Sequence, residues 1–306
     1  MKERNSAIEI LRLLCIIMVI LCHYCGHGVL SIISPIEVDN YSWQIFLSQI
    51  ISSFGSIANN TFILITGFFA VKSGINYKKL IELIAETFFY AWIIYFICMQ
   101  FGIISFSVHD FICSLIPIWF GYNWFISCYT ILYIFIPYIN IFIYSMCKKK
   151  YYTLLIILFL IRYVCPLFGA ENYMNEGHCL EQFIFMYLIG GYIRLWLIND
   201  DNLKSLLNWR IILVTLIVLM VSLSLGIALI GIKTEHSIFL QNVTFFGPIF
   251  VVIIPIALFM VTYENHPFYN NIINRLSSSV FGIYLLHDNP ILRNIIWEGY
   301  LLILIG

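Results

Sequence analysis

The stretch Ile8–Leu30, IEILRLLCIIMVILCHYCGHGVL, decides the fold of this chain. It is apolar over more than the ~20 residues that a helix needs to cross a ~30 Å hydrocarbon layer. The runs Phe46–Val71 and Ile211–Ile232 have the same character. Across 306 residues, 61% are hydrophobic and 10% are charged, and the mean hydropathy is +0.93. A water-facing domain carries about 25% charged residues, so this composition cannot clothe a soluble surface. Lipid must be the solvent, and in lipid every backbone N–H and C=O needs an internal partner, which leaves helices or a closed barrel. Long continuous apolar runs, in place of ~10-residue alternating segments, select helices. The expected fold is all-α, a polytopic transmembrane bundle.

The formal net charge is zero and there is no basic stripe outside the loops, so nothing suggests nucleic-acid binding. The first apolar run has no small-residue cleavage site and reads as a retained helix. Nine scattered cysteines do not make a disulfide framework. Cys22 and Cys25 form a C-x-x-C around His23, with His27 following, but both thiols lie in an apolar helix without a second ligand pair nearby. No metal site is expected.

Lysine and arginine concentrate on the cytoplasmic side of membrane proteins and so fix the direction of each span. With Lys2 and Arg4 inside, helices over about Ile8–Leu30, Trp43–Val71, Leu80–Ile104, Trp124–Met146, Tyr152–Phe168, Leu180–Ile198, Ile211–Ile230, Phe245–Thr262 and Leu276–Leu286 return Lys72, Lys78, Lys79, Lys148–Lys150, Arg194, Lys204, Arg210 and Arg275 to the cytoplasm. Of the sixteen Lys and Arg residues, only Arg162, Lys233 and Arg293 fall on or near the outside. Ser105–Phe120 reads as an interfacial segment. Ile295–Gly306 begins a tenth span and is too short to cross. The expectation is about ten spans in one domain, residues 1–306, with the N-terminus cytoplasmic.

An ionisable group inside a spanning helix is expensive and is a functional hypothesis by default. The first helix carries Glu9, Arg12 and His23. Eleven residues at ~100° each make three turns plus ~20°, so Arg12 and His23 share a face, about 16 Å apart along the axis. One sits near the cytoplasmic surface and the other about halfway across, as on the wall of a tunnel. A buried neutral imidazole can act as a general base towards a hydroxyl, and arginine offers a planar fork of donors to a phosphate or carbonyl group. The competing reading makes Glu9 and Arg12 an interfacial ion pair at i, i+3 and lets His23 bond a neighbouring helix. The residues alone leave both open.

Arg4-Asn5, then Ile8-Glu9-Ile10-Leu11-Arg12, then His23 resemble the first helix of the acyltransferase 3 family, whose hallmark is an arginine, ten residues and a histidine. Three later segments agree in order: Asn60–Phe69, Trp124–Tyr129 and Phe281–His287. The resemblance spans nearly the whole chain. It implies transfer of an acyl group, commonly acetyl from cytoplasmic acetyl-CoA, to a hydroxyl of a sugar or cell-envelope or capsular polysaccharide. Carried over by motif, His23 is the catalytic histidine and Arg12 its partner facing the acyl donor. The family's basic motif after the second helix is usually arginine-rich. This chain has Lys78 and Lys79 there, which keep charge for the CoA phosphates and lose the bidentate fork. Glu9, Asn60, Asn123, Trp124 and His287 are candidates for substrate contact. Trp124 also suits an interfacial anchor, His287 beside Asp288 a hydrated helix end, and Asn59 and Asn60 either interhelical glue or pocket lining. The alternative function is a transporter or flippase of glycans or lipid-linked sugars, against which stands the absence of an inverted repeat.

Overall fold

A computed structural model describes residues 5–118, 123–168, 179–200, 207–293 and 295–297, apart from the side chain at 167. It contains helices and no strand among the described residues. The first helix, α1, covers Ser6–His23 and continues through a π-helical turn, Tyr24–Leu30, and a last turn, Ser31–Ile33. Asn5 caps it, its side chain accepting from the amide of Ala7 at 3.1 Å. The face Ile10, Leu14, Ile17 and Leu21 is open to lipid, and Ile8, Leu11, Cys15 and Val19 are buried. This one-sided wetting by lipid is what a helix at the edge of a membrane bundle requires.

The second helix, α2 (Trp43–Ser73), is the centre of the bundle. Ser42 caps its start, and Gly74, at φ 67°, ends it by returning its amide to the carbonyl of Ala70. Around it lie α3 (Tyr77–Gln100), α4 (Val108–Leu115), α5 (Trp124–Tyr144), α6 (Lys148–Phe159), α7 (Leu180–Leu195), α8 (Trp209–Thr234), α9 (Ser237–Gln241), α10 (Gly247–Glu264), α11 (Asn271–Ser278) and α12 (Val280–His287). α2 packs against α1, α7 and α10. Its crossing with α7 depends on two glycines. A Cβ on Gly67 would stand 2.3 Å from the carbonyl oxygen of Tyr187, and one on Gly190 would stand 2.3 Å from that of Leu64. Without hydrophobic drive between helices in lipid, such close backbone approach supplies the packing energy.

Six helical stretches are long and apolar enough to cross a bilayer: Ser6–Ile33, Trp43–Ser73, Tyr77–Gln100, Trp124–Tyr144, Trp209–Thr234 and Gly247–Glu264. The expected count of about ten is not reached among the described residues, because three of the expected spans are built from shorter pieces. The fifth leaves α-helical geometry after Phe159 and passes through a π turn (Leu160–Val164) and a 3-10 turn (Cys165–Phe168). α7 has 16 residues, and the ninth expected span is split at Ser279 into α11 and α12. The tenth expected span lies largely outside the described residues.

The segment α11–α12 runs parallel to α1. At one end Ser6 donates to the side chain of Asn274 at 2.9 Å, and its amide donates to the carbonyl of Phe268 at 2.9 Å. At the other end His23 meets Asp288. This alignment positions the site.

Candidate functional site

A cavity of about 250 Å³ opens between α1, α2, α3, α5 and the α11–α12 segment. On α1 its wall is Arg12, Ile16 and Val19. His23 is the next member of that stripe, one turn beyond Val19, so positions i, i+4, i+7 and i+11 run in line from the cavity to the imidazole. The opposite wall repeats the spacing: Ser277, Phe281 and Tyr284 line the cavity, and Asp288, beside His23, is the next member. The remaining lining is mostly apolar, with Asn59 and Thr66 from α2, Tyr129 from α5 and Ser278 from α11 as its polar points. Thr66 and Tyr129 bond each other at 3.4 Å.

The ion pair with Glu9 is present, and Arg12 also lies on the cavity wall. Its Nη1 lies 2.9 and 3.2 Å from the two carboxylate oxygens of Glu9, and about a third of the side chain stays exposed along the cavity. Glu9 is buried and also accepts from the hydroxyl of Ser277. It does not line the cavity, so the structure gives it the work of holding Arg12. Only one guanidinium nitrogen is used in that pair, which leaves the rest of the fork to the cavity.

His23 is mostly buried. Its Nδ1 lies 3.7 Å from Oδ1 of Asp288, and Nη2 of Arg293 lies 2.8 Å from the same oxygen. The rings of His27 and His287 stand 5.2 and 5.1 Å from that of His23. The π turn that begins at Tyr24 is part of this geometry, and such turns inside α-helices are frequent at functional positions. His287 is buried, with Nδ1 2.7 Å from the carbonyl oxygen of Ile283. It is a packed neighbour of His23, and the alternative of a hydrated helix end is set aside.

His23, His27 and Asp288 offer donor atoms that all lie within 4.8 Å of one another, a set able to hold a metal ion. The guanidinium of Arg293 already meets the carboxylate of Asp288, so a cation there would compete with an ion pair. The residues therefore fit an ion-paired imidazole better than a metal centre.

The other candidates separate. Asn60 is interhelical glue: it donates to the carbonyl of Val251 at 2.6 Å and accepts from Gln182 at 3.1 Å, and its neighbour Asn59 is the one on the cavity wall. Asn123 is buried at the start of α5, and Trp124 packs against Phe125 and Phe183, beside the wall and not on it. Lys78 and Lys79 fall in the first turn of α3, since Asn76 caps that helix by accepting from the amide of Lys79. Lys78 is exposed and 3.8 Å from Glu82. Lys79 is exposed one turn before Leu83, which lines the cavity. Sequence reasoning had offered pocket lining for Asn59 and Asn60 alike, and it missed Tyr129, Ser277, Tyr284, Asp288 and Arg293 as site residues. Asp288 alone carried a signal, as an acidic residue directly after a motif histidine.

A polytopic helical membrane protein with a buried imidazole at the end of an arginine-lined cavity is the class that fold and site define. A family model for an acyltransferase domain matches residues 5–304, essentially the whole chain, and the chain belongs to the acyltransferase 3 family. No curated protein and no solved structure matches it. Membership makes it a membrane acyltransferase.

Proposed function

We propose that this protein transfers an acetyl group from acetyl-CoA, bound from the cytoplasmic side, to a hydroxyl of a sugar or of a cell-envelope or capsular polysaccharide. The observation that carries this reading is the single stripe on α1: Arg12, Ile16 and Val19 line the cavity and His23 stands one turn past its end. A cavity of about 250 Å³ suits a thin pantetheine arm with a short acyl group and leaves the bulky nucleotide at the mouth. There Lys79, with Lys78 beside it, supplies positive charge to the phosphates. The basic residues that flank the spans support a cytoplasmic N-terminus, which puts the Arg12 end of the cavity towards the donor.

In this mechanism His23 takes the proton of the acceptor hydroxyl as its oxygen attacks the thioester carbonyl. The C–S bond breaks, the ester C–O bond remains, and the proton passes to the departing thiolate to give free CoA. Arg12, kept in place by Glu9 and Ser277, can donate to the polarised carbonyl or to the pantetheine amides through the nitrogens that Glu9 leaves unused.

The test is CoA release from acetyl-CoA by the purified protein in nanodiscs, with and without envelope glycan, beside His23→Ala. Glycan-dependent release that falls by roughly 10²-fold or more in the variant is the expected result. A folded wild type that consumes no acyl donor with any glycan tried would overturn the reading.

A further inference from the structure

We infer that Asp288, clamped by Arg293, is a positioning residue that holds the imidazole of His23 in the tautomer its role as base demands; this rests on the acyl-transfer reading above. Asp288 is almost wholly buried, its side chain 2% exposed, and Arg293 holds it from the following turn. Nη2 of Arg293 lies 2.8 Å from Oδ1 and also donates to the main-chain carbonyl of Asp288 at 3.3 Å. A buried carboxylate is stable as an anion only when paired in this manner. The pair is anchored further by Trp297, whose indole N–H donates to the carbonyl of His287 at 3.2 Å.

Nδ1 of His23 is buried without a hydrogen-bond partner among the described residues, and the atom it faces, 3.7 Å away, is Oδ1 of Asp288, the oxygen that Arg293 pairs. That is longer than the ~3.2 Å limit of a good N–H···O bond, and catalytic contacts of this kind are often loose before substrate binds. His287 cannot supply the negative charge that Asp288 brings. A carbonyl oxygen only accepts, so Nδ1 of His287 carries its proton towards Ile283 and the ring is not an anion. His27 is likewise an imidazole, and Arg293 is a donor only. Among the described residues, Asp288 is thus the one carboxylate in the cluster around His23.

With Nδ1–H committed to Asp288, the basic lone pair of His23 is on Nε2, free for the acceptor hydroxyl. When that proton arrives, the imidazolium finds an anion already in place, whose charge needs no reorganisation. Arg293 pairs with the carboxylate and stops it from rotating away. The two helices that bear the pair, α1 and α12, are parallel neighbours, so the contact forms wherever they dock.

The experiment uses the full chain in nanodiscs with ¹⁵N-labelled imidazoles, the His23 signals being assigned by their loss in His23→Ala. Nδ1-protonated His23 in the wild type, and loss of that preference in Asp288→Asn, are expected. In parallel, Asp288→Asn should lower kcat by roughly 10²-fold while KM for donor and acceptor holds, with partial recovery in Asp288→Glu. A purely structural ion pair behaves differently: Asp288→Asn/Arg293→Met would then remove the stranded cation and recover activity together with stability. Recovery of kcat in that double variant, or wild-type His23 protonated on Nε2, would overturn the proposal while leaving His23 as the base. The tautomer measurement decides the contact even for a protein that turns over no donor.

Discussion

Replacing Gly67 by alanine should disturb both the bundle and the chemistry. The added methyl carbon would stand 2.3 Å from the carbonyl oxygen of Tyr187 and 2.8 Å from its Cα. Non-bonded carbons rest at ~3.5–4.0 Å, so α2 and α7 must part by roughly 1 Å at their crossing. Neither neighbour is a flexible side chain, and backbone in a packed helix cannot swing aside. Overpacking of this kind costs about 1–3 kcal/mol. The residue before Gly67 is Thr66, on the cavity wall, and Asn59 lies two turns earlier on the same helix. A 1 Å misplacement of a positioning element can lower a rate by ~10²-fold. Thermal unfolding in detergent and kcat for CoA release should therefore both fall in Gly67→Ala, and in Gly190→Ala, whose methyl would meet the carbonyl of Leu64 at 2.3 Å. Gly226 in α8 has no heavy atom within 4 Å of its added methyl, so Gly226→Ala should be neutral or stabilising by up to ~1 kcal/mol. If Gly67→Ala and Gly226→Ala unfold at the same temperature, the close-crossing argument is refuted.

Adjacent asparagines should part company. Asn60→Leu strips partners from Gln182 and from the carbonyl of Val251, costing about 1–2 kcal/mol in an unfolding titration with little change in kcat, whereas Asn59→Leu should spare stability and slow turnover. Equal effects of the two on stability and rate would contradict their assignment. At the cavity mouth, Lys79→Ala should raise KM for the acyl donor more than Lys78→Ala, since Lys79 is one turn from Leu83 and Lys78 is shared with Glu82; the difference should shrink in high salt, and a salt-independent KM would argue against phosphate contact.

The sequence by itself determined the solvent, the helical class and the family. A chain with 10% charged residues and unbroken apolar runs has one way to satisfy its backbone in lipid, and helical periodicity alone sets Arg12 and His23 on one face of α1. It could not count the spans, because hydropathy does not report where a helix opens into a π turn at Leu160 or breaks at Ser279. Nor could it tell Asn59 from Asn60, which differ by one step of ~100° around α2 and hence by whether they meet the cavity or α7 and α10. The partners of the α1 residues were beyond reach for the same reason. Ser277 reaches Glu9 and Asp288 reaches His23 across more than 260 positions of chain, and the docking of α11–α12 alongside α1 is a choice of tertiary packing. Local periodicity places a side chain on a face; only the assembled bundle decides what that face meets.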